Sequence, residues 1–129
     1  MWKFLLALLA AGTLLWGGTP YAHGQKAAEM FIPTGQSPGL SGKVTVMGKI
    51  EAINPQERSI TIAGPSATLS ARVTDRTQIW LDRSKLRQTN QAGTFADLRV
   101  GRTVEVKYEG AQHRGEGPAE WIKVQLEAS

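Results

Sequence analysis

Lys43–Ile62 reads KVTVMGKIEAINPQERSITI, and its rhythm sets the fold. Val44, Val46, Ile50 and Ala52 fall on one side of a two-residue repeat, while Thr45, Met47, Lys49 and Glu51 fall on the other. A period of two sends successive side chains to opposite faces of a strand, so the stretch predicts a half-buried β-strand and not a helix. Gly48 takes an inward place with no side chain to fill it, which predicts a bend or bulge. Asn54-Pro55-Gln56-Glu57 is turn chemistry, after which Ile60 and Ile62 resume the inward phase.

The same alternation continues downstream. Ala67, Leu69, Ala71 and Val73 form the next inward set, and in TQIWLD, Thr77–Asp82, the core face falls to Ile79 and Leu81. Trp80 is thereby sent outward. Val104, Val106 and Tyr108 predict one further strand, and Ile122, Val124 and Leu126 another, in which Trp121, Lys123 and Gln125 face away from the core. The long interruption, Asp82 to Gly101, carries no sustained helical stripe, but Phe95-Ala96-Asp97-Leu98 predicts a single turn that plugs one end of the sheet. The order of these elements predicts an all-β fold, a small five- to six-stranded OB-like barrel over 43–127, since closing the sheet protects edges that no helix layer would cover.

Upstream the texture differs. Met1-Trp2-Lys3 followed by the uncharged run Phe4–Gly18 is shorter than the about 20 residues a spanning helix needs, and it reads as a signal peptide over 1–24, with cleavage after Gly24 or Ala22. Residues 25–42, rich in Gly, Pro and polar turn-formers, read as a flexible linker or arm. The expected location is therefore periplasmic or secreted. The 129-residue chain has no cysteine, which removes disulfides, thiolate metal sites and cysteine nucleophiles together. Without Lys3 the remaining 14 basic residues exceed the 11 acidic ones by three, and the excess gathers between Arg72 and Arg102. Such a strip suits an anionic partner, or it is an ordinary solvated surface.

The segments GKIEAINPQERSITI, TQIWLD, FADLRVGRTVEVKYEG and AEWIKV resemble those of small exported bacterial domains of unknown function with an OB-like barrel. That resemblance spans about Gly42 to Val124 and implies a fold more than an activity. A more distant similarity is to periplasmic copper-chaperone barrels, which hold Cu(I) through a His, two Met and a stacking Trp. Here the corresponding strand, Ala67–Val73, has neither Met nor His, so no ligand residue carries over.

For chemistry the sequence offers little. His23 lies at the expected cleavage site and His113 in a glycine-rich loop, no Ser sits in a nucleophile elbow, and no glycine loop opens a helix to cradle phosphate. The chain is accordingly expected to be non-enzymatic, without metal or cofactor, the alternative being a periplasmic metal-handling accessory protein of copper type. Trp80 and Trp121 remain, with Arg72, Lys107 and Lys123 in the same outward phase. Together these five predict a ligand-binding platform for a partner protein, a glycan or another anionic ligand, since aromatics beside cations suit stacking. Nucleic acid would fit the fold but conflicts with export. Alternatively, Trp80 lies under the Asp82–Gly101 loop beneath Leu86, and Trp121 under the arm through Met30 and Phe31.

Overall fold

The computed structural model describes residues 28–110 and 115–128, so the leader 1–24 and its cleavage site lie outside the described residues. Among the described residues seven strands form one sheet: β1 (Thr45–Asn54), β2 (Ser59–Ala63), β3 (Thr68–Arg72), β4 (Gln78–Asp82), β5 (Gln91–Ala92), β6 (Thr103–Tyr108) and β7 (Ala119–Gln125). Their order is β3-β2-β1-β6-β7-β4-β5, with β4 parallel to β7 and the other pairs antiparallel. The strand beyond the expected six is β5, a two-residue return of the long loop onto β4.

The sheet curls until β3 meets the segment that leads into β7. β3 and β4 are consecutive in the chain yet stand far apart in the sheet order, and the segment leading into β7 bridges them. Ser70 and Arg72 donate backbone N–H bonds to the carbonyls of Gly115 and Gly117, and Arg72 forms a parallel bridge with Pro118. The result is an all-β, barrel-like fold, filled by Ile50, Ile60, Ile62, Val104, Val106, Ile122 and Val124. Tyr108 joins this core and donates its hydroxyl to Ser70 O at 2.6 Å, so the phenol's polar end is satisfied. Burial pushes its pKa up to about 12, an effect that the Gly115 backbone opposes and the negative charge of Glu116 reinforces.

Three expectations of inward phase are corrected, the first being Ala67, which precedes β3 and is exposed. Ala52 is exposed, because the β1–β2 register steps from Ile50↔Ile62 to Ala52↔Thr61 and leaves Glu51 without a partner. This bulge reverses the phase, so Ile53 pairs with Ile60 and packs on the core in its place. Ile53 is half-buried there, and covering part of an isoleucine removes more apolar surface from water than covering an alanine methyl. Val44 precedes β1 and is exposed. Gly48 marks a close approach: a Cβ there would lie 2.1 Å from Ala63 O.

The plug is present. Phe95–Asp97 forms a 3₁₀ turn that Thr94 and Asp97 cap reciprocally, which lowers Leu98 into the core and lays Phe95 against it. Arg58 holds its guanidinium 5.0 Å from the Phe95 ring centroid.

Residues 28–44 follow a defined course in the structure. They fold into successive turns, closed by bonds such as Gln36 N–H to Pro33 O and Val44 N–H to Leu40 O, and they cross the outer face of β1, β6, β7 and β4. Gly35, Gly39 and Gly42 take positive φ in these turns, which L side chains adopt only at a cost.

Candidate functional site

The strand registers decide which outward side chains meet. One row across the sheet is Met47, Glu105, Lys123 and Trp80, and the neighbouring row is Thr45, Lys107, Trp121 and Gln78. Trp80 and Trp121 therefore sit diagonally on adjacent strands, ring centroids 5.5 Å apart and tilted by 31°. Lys123, two residues beyond Trp121 on the same face, places its ammonium 4.9 Å from that ring.

An outer sheet face ordinarily meets water, but this one is covered. Trp80, Trp121, Lys123, Glu105 and Asp82 are each less than 5% exposed. The cover is the arm, and it answers each charge with hydrogen bonds.

Lys123 Nζ donates to the Glu29 carboxylate at 2.8 Å, to Ile32 O at 2.9 Å and to the Ser37 hydroxyl at 2.9 Å, so all three ammonium protons have acceptors. The Ser37 hydroxyl in turn donates to Glu29. Glu105 accepts from Gly35 N–H at 2.8 Å, from the Ser41 hydroxyl at 2.5 Å and from the Thr45 hydroxyl at 2.7 Å. Asp82 accepts from Thr34 N–H at 2.7 Å and from the Ser84 hydroxyl and N–H at 2.6 and 3.0 Å. Burial alone would raise the pKa of Asp82. The bonds from Ser84 and Thr34 outweigh it and hold this carboxylate below its ordinary value. Asn90 completes the seat, its amide donating to Met30 O at 3.1 Å.

Of the five residues expected to form a platform, three come together, Trp80, Trp121 and Lys123, as a buried layer beneath the arm. Among the described residues the other two are not bonded to the arm: Lys107 lies beside Trp121 in its row, and Arg72 lies on another strand. Lys107 is half-buried and paired with Glu120 at 2.8 Å, and Arg72 is exposed on β3 at the barrel seam. Trp121 is 2% exposed, while Phe31, which the alternative laid over it, is 52% exposed.

Glu105, Asp82, Glu29, Ser37 and Ser41 belong to the site and were not singled out by sequence. Glu105 shares the outward phase of Lys107, but only the neighbour order β6-β7-β4 brings it beside Lys123 and Trp80. Among the described residues no group of three or more His, Cys, Asp and Glu is placed to hold a metal ion, and His23 and His113 lie outside them. No helix of the described residues is long and apolar enough to cross a membrane. An apolar groove of ≈ 340 Å³ beside β1, lined by Val46, Met47, Pro65 and Leu69 among others, adjoins the covered face.

No family model matches the chain, and no curated protein matches it. Among solved structures it is similar to a tryptophan-to-alanine variant of CusF with Cu(II), residues 10–88, from Escherichia coli. The identity is 16%, the match covers 64% of this chain and 91% of that one, and the TM-score is 0.43, too slight a likeness to carry a function across.

Proposed function

We propose that the chain is an exported, non-enzymatic binding or accessory module, and that its working surface is the outer face carrying Trp80, Trp121 and Lys123, which takes a partner bearing an anionic group. The observation behind this reading is the chemistry of the covered layer. Lys123 is 1% exposed and rests on an aromatic ring, yet the three acceptors of its ammonium all come from the arm.

A face that served stability alone would be closed with apolar side chains, because replacing a buried ion pair by packed hydrophobic groups is often neutral or stabilising by about 1–4 kcal/mol. A cation, two carboxylates and two indoles form instead a surface of directional groups, which suits recognition. The carboxylates are saturated by hydrogen bonds, which favours a binding role for them over proton transfer.

The test is tryptophan emission in a chain whose Trp2 and Trp16 are replaced by Phe, leaving Trp80 and Trp121 as reporters. Acidic and neutral oligosaccharides, acidic peptides, Cu(I) and Cu(II) are titrated in turn. A saturable change with an acidic probe, lost in Lys123→Met, supports the reading. Stoichiometric quenching by copper with no response to any acidic probe would replace it with metal handling.

A further inference from the structure

The way the arm is held identifies what the face reads. Within the six residues Met30–Gly35, four main-chain groups are bound by four barrel side chains: Met30 O by Asn90, Ile32 O by Lys123, Thr34 N–H by Asp82 and Gly35 N–H by Glu105. Carbonyls meet donors and amides meet carboxylates. Such contacts recognise a peptide backbone whatever its side chains, and the side-chain contacts add one acidic residue, Glu29, on Lys123. The arm's apolar side chains contribute less, for Met30, Ile32 and Pro33 are only half-buried and Phe31 is exposed.

The same groups exclude other ligands. A polyphosphate or nucleic acid would satisfy Lys123 but bring like charge against Asp82 and Glu105, which are buried beside it. A glycan supplies hydroxyl donors for those carboxylates but no alternating run of carbonyls and amides.

We infer that this face is a peptide-binding site, that residues 29–41 are its built-in occupant, and that the partner is an acidic peptide segment of another protein that displaces them. The inference rests on the reading above that this face is the working surface. A partner segment must supply a carboxylate for Lys123 and main-chain groups for Asn90, Asp82 and Glu105. The arm's link to β1 turns at Gly39 and Gly42, both at positive φ, and Ser41 between them bonds Glu105.

The experiment uses the full chain with the arm loosened by Glu29→Lys and Ser37→Ala, which leave every barrel residue in place. The probe is a labelled synthetic peptide AEMFIPTGQSPGLSG, the sequence of residues 28–42, followed by fluorescence anisotropy. The loosened chain is expected to bind it at least tenfold more tightly than the parent chain, and a peptide with lysine in place of its glutamate is expected to lose that gain. Far-UV circular dichroism and amide exchange at Thr34 and Gly35 report whether the barrel is folded and the arm released. Should the arm stay docked, Gly35→Pro, which removes the donor to Glu105, replaces the first variant, with exchange at Thr34 alone reporting release.

A folded chain with its arm released that fails to bind the peptide overturns the inference. If it then binds an acidic oligosaccharide through Lys123, the working-surface reading stands without the peptide; if it binds neither, both fall. Arm-exchanged dimers with no gain for the free peptide would make a second copy the occupant and overturn the choice of partner.

Discussion

Lys123 and Glu29, 94 positions apart in sequence, meet as an ion pair at 2.8 Å with the lysine side chain 1% exposed. This contact ties the arm to the strand that also carries Trp121, and removing its two partners should have unequal effects. Glu29→Ala strands a buried cation and is expected to cost about 3–5 kcal/mol, less whatever the arm recovers by opening to water. Lys123→Met removes the cation itself and leaves Glu29, the less buried partner and still bonded to Ser37, so it is expected to cost less, about 1–3 kcal/mol. Urea unfolding of both single variants and the double variant gives the coupling between them.

Trp80 closes the stack from β4. Trp80→Ala is expected to destabilise the domain by about 3–5 kcal/mol, the range for a buried aromatic truncated to alanine, because both the cavity and the ring contact with Trp121 are felt. Unchanged melting would show that the ring spends its time in water.

The pH dependence has two limbs of opposite sign. The lowered pKa of Asp82 means the native state binds its proton less readily than the unfolded chain. Its contribution is therefore complete above the ordinary carboxylate value of 3.8 and is lost as pH falls through the lowered one. Tyr108 is raised from 10.0 to about 12, so the native state keeps this proton and stability is lost as pH rises from 10 to 12. Unfolding free energies against pH should lose part of the acid limb in Asp82→Asn and part of the alkaline limb in Tyr108→Phe.

Two glycines should respond differently. Gly48→Ala drives a methyl into Ala63 O at 2.1 Å, a backbone atom that has little room to yield, and is expected to cost about 3 kcal/mol or to prevent folding. Gly39→Ala meets no neighbour, so its cost is the positive φ alone, roughly 1 kcal/mol. Melting temperatures of the two variants separate the effects.

The barrel was legible because alternation is local: Ile60, Ile62, Val104, Val106, Ile122 and Val124 reveal their phase within a few residues. The bulge at Glu51 was not, since it depends on which isoleucine of β2 each residue of β1 meets, and so Ala52 and Ile53 exchanged places. The outward phase of Trp80, Trp121 and Lys123 was equally readable. Their burial was not, because the cover is made of Gly, Ser, Pro and Thr, a composition that announces a flexible segment when no face is known for it to dock on. Glu105 and Asp82 looked like solvated charges for the same reason. Only the sheet order places them under Gly35 and Thr34.

The most direct test of the covered face is hydrogen exchange at the amides of Thr34 and Gly35, which donate to Asp82 and Glu105. In the parent chain both should exchange slowly, and in Glu29→Lys both should approach free-peptide rates while Ile122 and Val124 keep their protection. Free exchange of Thr34 and Gly35 in the parent chain would contradict the account, as would full protection in the variant.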